Sequence, residues 1–132
     1  MSFVLDTNIC SAHLRRPSGL MHRFVQHSGR LAIPTIVLAE LYAMAFLRED
    51  PYPLLARIAE FLRDVEVLPF DEACARKFGE LRGQLRRKGI AVNPVDLLIA
   101  AVALVHDRIL VTNNTADFQF VPNLQLADWL TT

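Results

Sequence analysis

Three carboxylates stand in apolar segments of this chain: Asp6 in FVLDTN, Glu40 in TIVLAELYA and Asp96 in NPVDLLIAAVAL. An ionised carboxylate buried without a partner loses several kcal/mol of effective solvation, so it takes a cation or neutralises itself. None of the three has a Lys or Arg in its own segment. Other acids, such as Glu49–Asp50, Asp64 with Glu66, and Asp71–Glu72, lie in polar clusters that read as solvated. Core-edge acids with no local counter-charge point to a divalent metal ion. Hard oxygen donors select hard cations, so Mg²⁺ or Mn²⁺ is expected in preference to Zn²⁺. Each acid also has a plainer reading. Asp6 in D-T-N makes an ordinary helix cap, Glu40 could pair with a distant Arg, and Asp96 could serve only the start of a helix.

The elements that must position these acids alternate between short strands and helices. Ser2–Leu5 reads as a buried strand, with Asp6 or Thr7 capping the helix after it. Beyond a loop at Arg15–Gly19, Leu20, Phe24 and Val25 mark an amphipathic helix. Leu31–Ile33 is a second strand, stopped by Pro34, and a helix apolar on nearly every face runs from Thr35 to about Leu47. Leu55, Ile58, Ala59 and Leu62 share helical spacing, and Val65–Leu68 alternates like an edge strand. The next helix starts near Asp71, turns Ala75, Phe78, Leu81 and Leu85 inward, and ends at Gly89. Asn93 caps a helix from Pro94 to about His106, and Ile109–Val111 is a buried strand. The polar turn Thr112–Thr115 follows, and the chain closes near Leu124–Leu126 and Trp129.

Apolar strands alternating with helices argue for an α/β protein with a parallel sheet covered on both faces. Ligands gather at the carboxyl ends of such strands. Asp6 directly follows one strand and Asp117 follows another, while Glu40 and Asp96 fall early in helices, where the dipole favours negative charge. That architecture can bring all four to one rim.

Bulk composition narrows the classes. A length of 132 residues suits one domain, and 52% hydrophobic with 21% charged residues excludes a disordered chain. Fourteen basic residues balance fourteen acidic ones, so overall charge does not indicate a strongly basic nucleic-acid binder. Cys10 and Cys74 are too few and too scattered for a disulfide framework or a zinc site. No basic segment leads into an apolar run at the start, and no apolar stretch reaches the roughly 18 residues of a membrane span. A cytoplasmic location with no membrane association is expected. The four histidines form no metal-spaced set and read as surface or packing residues.

The motifs LDTNI, the A-E-L around Glu40, N-P-V-D-L-L-I-A-A-V-A-L, V-T-N-N with Asp117–Phe118, and a late Trp follow in order over almost the whole chain. In that order they resemble the PIN-domain ribonucleases, most closely the VapC-type toxins of toxin–antitoxin pairs. The resemblance implies a PIN-like three-layer fold, a short parallel central sheet flanked by helices. It also implies an Mg²⁺- or Mn²⁺-dependent endoribonuclease acting on structured RNA such as tRNA, with water attacking in line to leave a 5′-phosphate and a 3′-hydroxyl. By position, Asp6, Glu40 and Asp96 match the acidic metal site. Many PIN domains carry a further acid three positions before Asp117, where this chain has Asn114; Asn can offer a neutral oxygen, and Asp117 can supply the charge. Asn93 stands where the family often has Gly, and Asn is a good helix cap.

In that reading Asp6 and Asp96 ligate the ion, Glu40 orients water or holds a second ion, and Asp117 acts in the same shell. Thr7, Asn8, Thr112 and Asn114 are supporting polar groups. Arg82 and Arg86, four residues apart on one helix face, would grip RNA phosphates or the antitoxin, supplying affinity with little sequence choice. A solvated helix end is the plain alternative. The apolar helix from Thr35 suggests a homodimer contact, and an exposed apolar groove would be closed by a VapB-type antitoxin in a hetero-oligomer.

Two other functions stand against this one. A phosphatase of the haloacid-dehalogenase type also begins with a strand and an Asp, but it needs a second Asp two positions later, where this chain has Asn8, and a downstream Lys in a suitable context. A catalytically weak PIN-like RNA- or protein-binding module is the other, and metal-dependent turnover separates it from an enzyme.

Overall fold

The computed structural model describes residues 1–131 as five short strands interleaved with seven helices. The strands are β1 (Phe3–Leu5), β2 (Leu31–Pro34), β3 (Glu66–Leu68), β4 (Ile109–Val111) and β5 (Leu126–Ala127). The helices are α1 (Thr7–Arg15), α2 (Pro17–Gln26), α3 (Thr35–Phe46), α4 (Tyr52–Phe61), α5 (Glu72–Arg87), α6 (Pro94–Val105) and α7 (Thr115–Phe118). All strand pairs are parallel, in the order β3-β2-β1-β4-β5. This is the α/β sheet flanked by helices that the sequence implies.

Burial follows strand position. Central β1 is buried throughout, whereas edge strand β3 runs exposed, half-buried, buried, as the alternation in Val65–Leu68 suggests. Strand β5 is the second edge, and only two residues long. Amides of Leu110 and Thr112 tie it down by donating to the carbonyls of Gln125 and Ala127, each at 2.9 Å. Two residues are too few to display a period, so this segment reads from sequence only as the close of the chain.

Several helical faces are rotated from their expected setting. In α5 the buried positions are Cys74, Leu81 and Leu85, with Phe78 half-buried and Ala75 exposed. In α4 they are Leu54, Ile58 and Phe61, and Ala59 is exposed. Alanine adds little apolar area, so the larger side chains set the phase. The loop expected at Arg15–Gly19 shrinks to a break at Arg16, because Pro17 suits the first position of α2, where no amide partner is lost. Val25, expected to face inward, is 69% exposed.

Helix α5 ends as its glycine predicts. Gly89 adopts φ 73°, and the amide of Ile90 donates to the carbonyl of Leu85 at 2.9 Å, closing the last turn. This stop aims residues 90–93 toward the start of α6. On α3, Val37, Leu41 and Ala45 are buried at helical spacing, while Phe46 and Leu47 are 65% and 87% exposed. Among the described residues, no helix is long and apolar enough to cross a membrane.

Leu110 in β4 is fully buried beside β1. Leu110→Ala should lower unfolding free energy by about 3 kcal/mol, the usual scale for a core leucine truncation. Urea denaturation would read this, and a loss under about 1 kcal/mol would show that the strand centre relaxes around the gap.

Candidate active site

The chain builds the sheet outward from β1 through β2 to β3, then returns to lay β4 on the other side of β1. The connections leaving β1 and β4 therefore diverge, and a crevice opens beyond their carboxyl ends. Asp6 immediately follows β1 and Thr112 immediately follows β4. Both sit at that crevice.

Asp6 caps α1 from extended backbone (φ −74°, ψ 163°), and its Oδ1 accepts from the Thr7 amide at 2.7 Å. Its Oδ2 accepts from Thr112 Oγ1, also at 2.7 Å, while the Asp6 amide donates to the Val111 carbonyl at 2.9 Å. Asp6 is thus tied by its side chain to the start of α1 and to Thr112, and by its amide to the end of β4; Thr112 is fully buried. Asn8 adds to the seam: its Oδ1 accepts from the Asn113 amide at 3.2 Å. The cap reading and the ligand reading of Asp6 are compatible, because the cap uses one oxygen and fixes the direction of the other.

Glu40 lies in the second turn of α3, and its Oε1 accepts a short hydrogen bond from Thr7 Oγ1. Asp96 occupies the first turn of α6, capped by Asn93, whose Oδ1 accepts from the Val95 amide at 2.8 Å and the Asp96 amide at 3.4 Å. Asp117 is in the first turn of α7, which replaces the expected turn, and is exposed. Asn114 stands at the N-cap of α7 without a side-chain cap bond; its amide donates to Thr112 Oγ1 at 3.1 Å.

The four acids share one electrostatic field. Burial pushes the Asp6 carboxyl above the usual range against the hydrogen bonds from Thr112 and Thr7, and the charges of Glu40 and Asp117 push the same way. Asp96 is raised to about 6, first by burial and then by Asp6, Asp117 and Glu40. No cation contributes to either shift. The site therefore carries uncompensated negative charge made of hard oxygen donors, which fits a divalent cation such as Mg²⁺ or Mn²⁺. Among the described residues, no three His, Cys, Asp or Glu side chains are grouped so that they could hold a metal ion by themselves. An ion held by one or two carboxylates, water and substrate phosphate needs no such group.

Arg82 and Arg86 are not among the acids. They line a neighbouring groove of about 280 Å³ with Ile90 and Leu97, and the Arg82 guanidinium lies 5.8 Å from the Phe78 ring centre. Phe120, to which sequence reasoning assigns nothing, lines the cleft that holds Asp96 and Asp117. A lone aromatic in a loop carries no periodic signal. Buried His13 stacks on Phe24 at 3.8 Å between centroids, a packing role as expected.

The family model described as PIN domain matches residues 3–123. The chain belongs to the PIN-domain family. It is 37% identical to a tRNA(fMet)-specific endonuclease VapC of Shigella flexneri over 130 residues, 98% of each chain. Among solved structures, DNA-bound VapBC from Salmonella typhimurium superposes with a TM-score of 0.93 at 35% identity, covering 98% of each chain. VapBC2 from Rickettsia felis, bound to a promoter DNA fragment, gives 0.91 at 33% identity, covering 98% of this chain and 99% of the other.

The raised carboxyls give this PIN domain a testable pH signature. Asp96 ionises near the ordinary aspartate value of 3.8 in the unfolded chain and near 6 in the folded protein, so the folded state binds the extra proton between those values. The resulting penalty is absent below the lower value, grows as pH rises, and is full above about 6. In metal-free protein at pH 7.5, Asp96→Asn should therefore stabilise by about 1 kcal/mol, after discounting a partly exposed group for solvent screening. The gain should vanish near pH 4 in thermal unfolding with EDTA present. A variant less stable than the parent at pH 7.5 would mean that a partner compensates the carboxylate.

Proposed function

We propose that this PIN domain, formed by residues 1–132, is a metal-dependent endoribonuclease of the VapC type, the toxin of a toxin–antitoxin pair. The observation that carries the reading is the convergence of Asp6, Glu40, Asp96 and Asp117 on one crevice, where burial first, and then the other three carboxylates, raise the Asp96 carboxyl to about 6 with no cation opposing the shift. Such a cluster is unfavourable for the protein alone and suited to a divalent ion and phosphate. Asp6 and Asp96 are assigned as the ligands of Mg²⁺ or Mn²⁺, with Glu40 and Asp117 orienting water or a second ion. When bound, the ion supplies Lewis-acid charge at the scissile phosphate and acidifies water there.

The chain's own residues prepare that site. Thr7 and Thr112 restrain the two Asp6 oxygens, and the Thr7 hydroxyl also restrains Glu40, so these acids need little reorganisation when substrate arrives. Asp117 is exposed and lines a cleft with Asp96, so the site is open to a substrate from solvent. On the family analogy, water attacks in line and leaves a 5′-phosphate and a 3′-hydroxyl. Similarity to tRNA(fMet)-specific endonucleases favours structured RNA such as tRNA as the substrate class.

A VapB-type antitoxin and a second copy of the chain are the proposed protein partners, in keeping with the VapBC complexes among the structural neighbours. Exposed Phe46 and Leu47 at the end of α3, with Tyr52 at the start of α4, offer apolar surface for such contacts. A cytoplasmic location is part of the same proposal, since its substrate would be cellular RNA.

Antitoxin-free protein should cut total cellular RNA into discrete fragments with Mg²⁺ or Mn²⁺ and not with EDTA. Asp6→Asn and Asp96→Asn should each lower the rate by at least about 100-fold. Cleavage that survives both EDTA and Asp96→Asn would sink the metal mechanism, and RNA binding without cleavage would favour a binding module.

A further inference from the structure

Phe120 is 55% exposed inside a cleft of about 400 Å³ whose other walls include Asn93, Asp96 and Asp117. Single exposed apolar side chains are ordinary on protein surfaces. This one is held in place beside the carboxylates. Its neighbours Phe118 and Val121 are 1% and 5% exposed, and the Val121 amide donates to the Phe118 carbonyl at 3.0 Å. The turn is anchored on both sides of Phe120, so the ring is presented at little conformational cost.

The cleft continues into the Arg82–Arg86 groove, since Ala91 and Val92 line both. An acidic cleft repels a polyanion unless cations accompany it, and these two arginines lie along its extension. Aromatic faces accept any nucleobase by stacking, and arginines beside them track the backbone. On the ribonuclease reading above, we propose that Phe120 stacks the nucleobase next to the scissile phosphate, while Arg82 and Arg86 hold the phosphates of the strand leaving the cleft. Phe120 is thus a substrate-positioning residue, and it biases which bond meets the acids by the stacking strength of the base it receives.

The test compares Phe120→Ala, Phe120→Leu and Phe120→Trp in metal-dependent cleavage of cellular tRNA, with Asp96→Asn as the control. Phe120→Ala should raise KM about 10-fold, the scale of one lost base–aromatic stack, with kcat little changed and cleavage positions broadened. Tryptophan should restore KM and leucine should not, which a merely apolar packing role does not predict. Arg82→Gln with Arg86→Gln should flatten the salt dependence of KM without moving the cleavage positions. Leucine performing as well as tryptophan, or unchanged KM in Phe120→Ala, would overturn the proposal. So would Phe120→Ala kinetics equal to the parent's alongside weaker inhibition by an antitoxin, which would give the ring to a protein partner. Cleavage persisting in Asp96→Asn would instead defeat the active-site reading, a separate failure.

Discussion

One hydrogen bond joins the two halves of the sheet to the chemistry. Thr112 Oγ1 donates to Asp6 Oδ2 at 2.7 Å across the crevice between β1 and β4. Both groups are buried, so the bond cannot be exchanged for one to water without opening the strand ends. It requires β1 and β4 to end in register, which their pairing of Leu5 with Val111 provides. It also requires α1 to begin at residue 7, because the other Asp6 oxygen accepts from the Thr7 amide. Sheet order, strand length and helix start are thereby tied to the direction of one carboxylate.

The remaining acids follow from that anchor. Thr7, fixed by the cap, passes a hydrogen bond to Glu40 on α3, and Asn93 sets the first turn of α6 so that Asp96 faces the same crevice. The resulting cluster opposes folding, as the raised carboxyls of Asp6 and Asp96 record. An apolar core of strands with no exposure at Val4, Leu5, Ile33, Leu110 and Val111 sustains that opposition. Stability is concentrated in the sheet, and the destabilising charge sits at its rim, where an ion and a phosphate can discharge it.

Much of this was legible in the sequence because even partial burial of an acid leaves a chemical trace: Asp6 is buried, while Glu40 and Asp96, expected in the core, are half-buried at its edge. An acid inside an apolar run with no nearby cation is conspicuous, and Asp6, Glu40 and Asp96 share that pattern in three separate segments. The strands β1, β2 and β4 were legible as continuous apolar runs, and Gly89 and Asn93 as a helix stop and start. What escaped lacked a period or depended on contacts distant in sequence. Strand β5 has two residues, α7 has four, and the inward phase of α5 turned on Cys74 instead of Ala75. The rank of Asp117 was ambiguous for the same reason: only its spatial nearness to Asp96 separates it from any exposed acid on a short helix.

The acids proposed to hold the ion and the groups proposed to meet the substrate belong to different elements. Asp6, Glu40 and Asp96 depend on strand ends and helix starts, where a shift of one residue breaks caps and register together. Arg86 lies in the last turn of α5, Arg82 one turn earlier against Phe78, and Phe120 on an anchored turn, and none of the three takes part in the hydrogen bonds that fix the acids. Substituting them alters the shape and charge of the approach without moving the acids. A fold arranged this way can hold one hydrolytic centre constant while its approach is remodelled for different RNAs. The physical reason is that the sheet transmits register along its hydrogen bonds but transmits nothing to a ring standing in solvent at its rim.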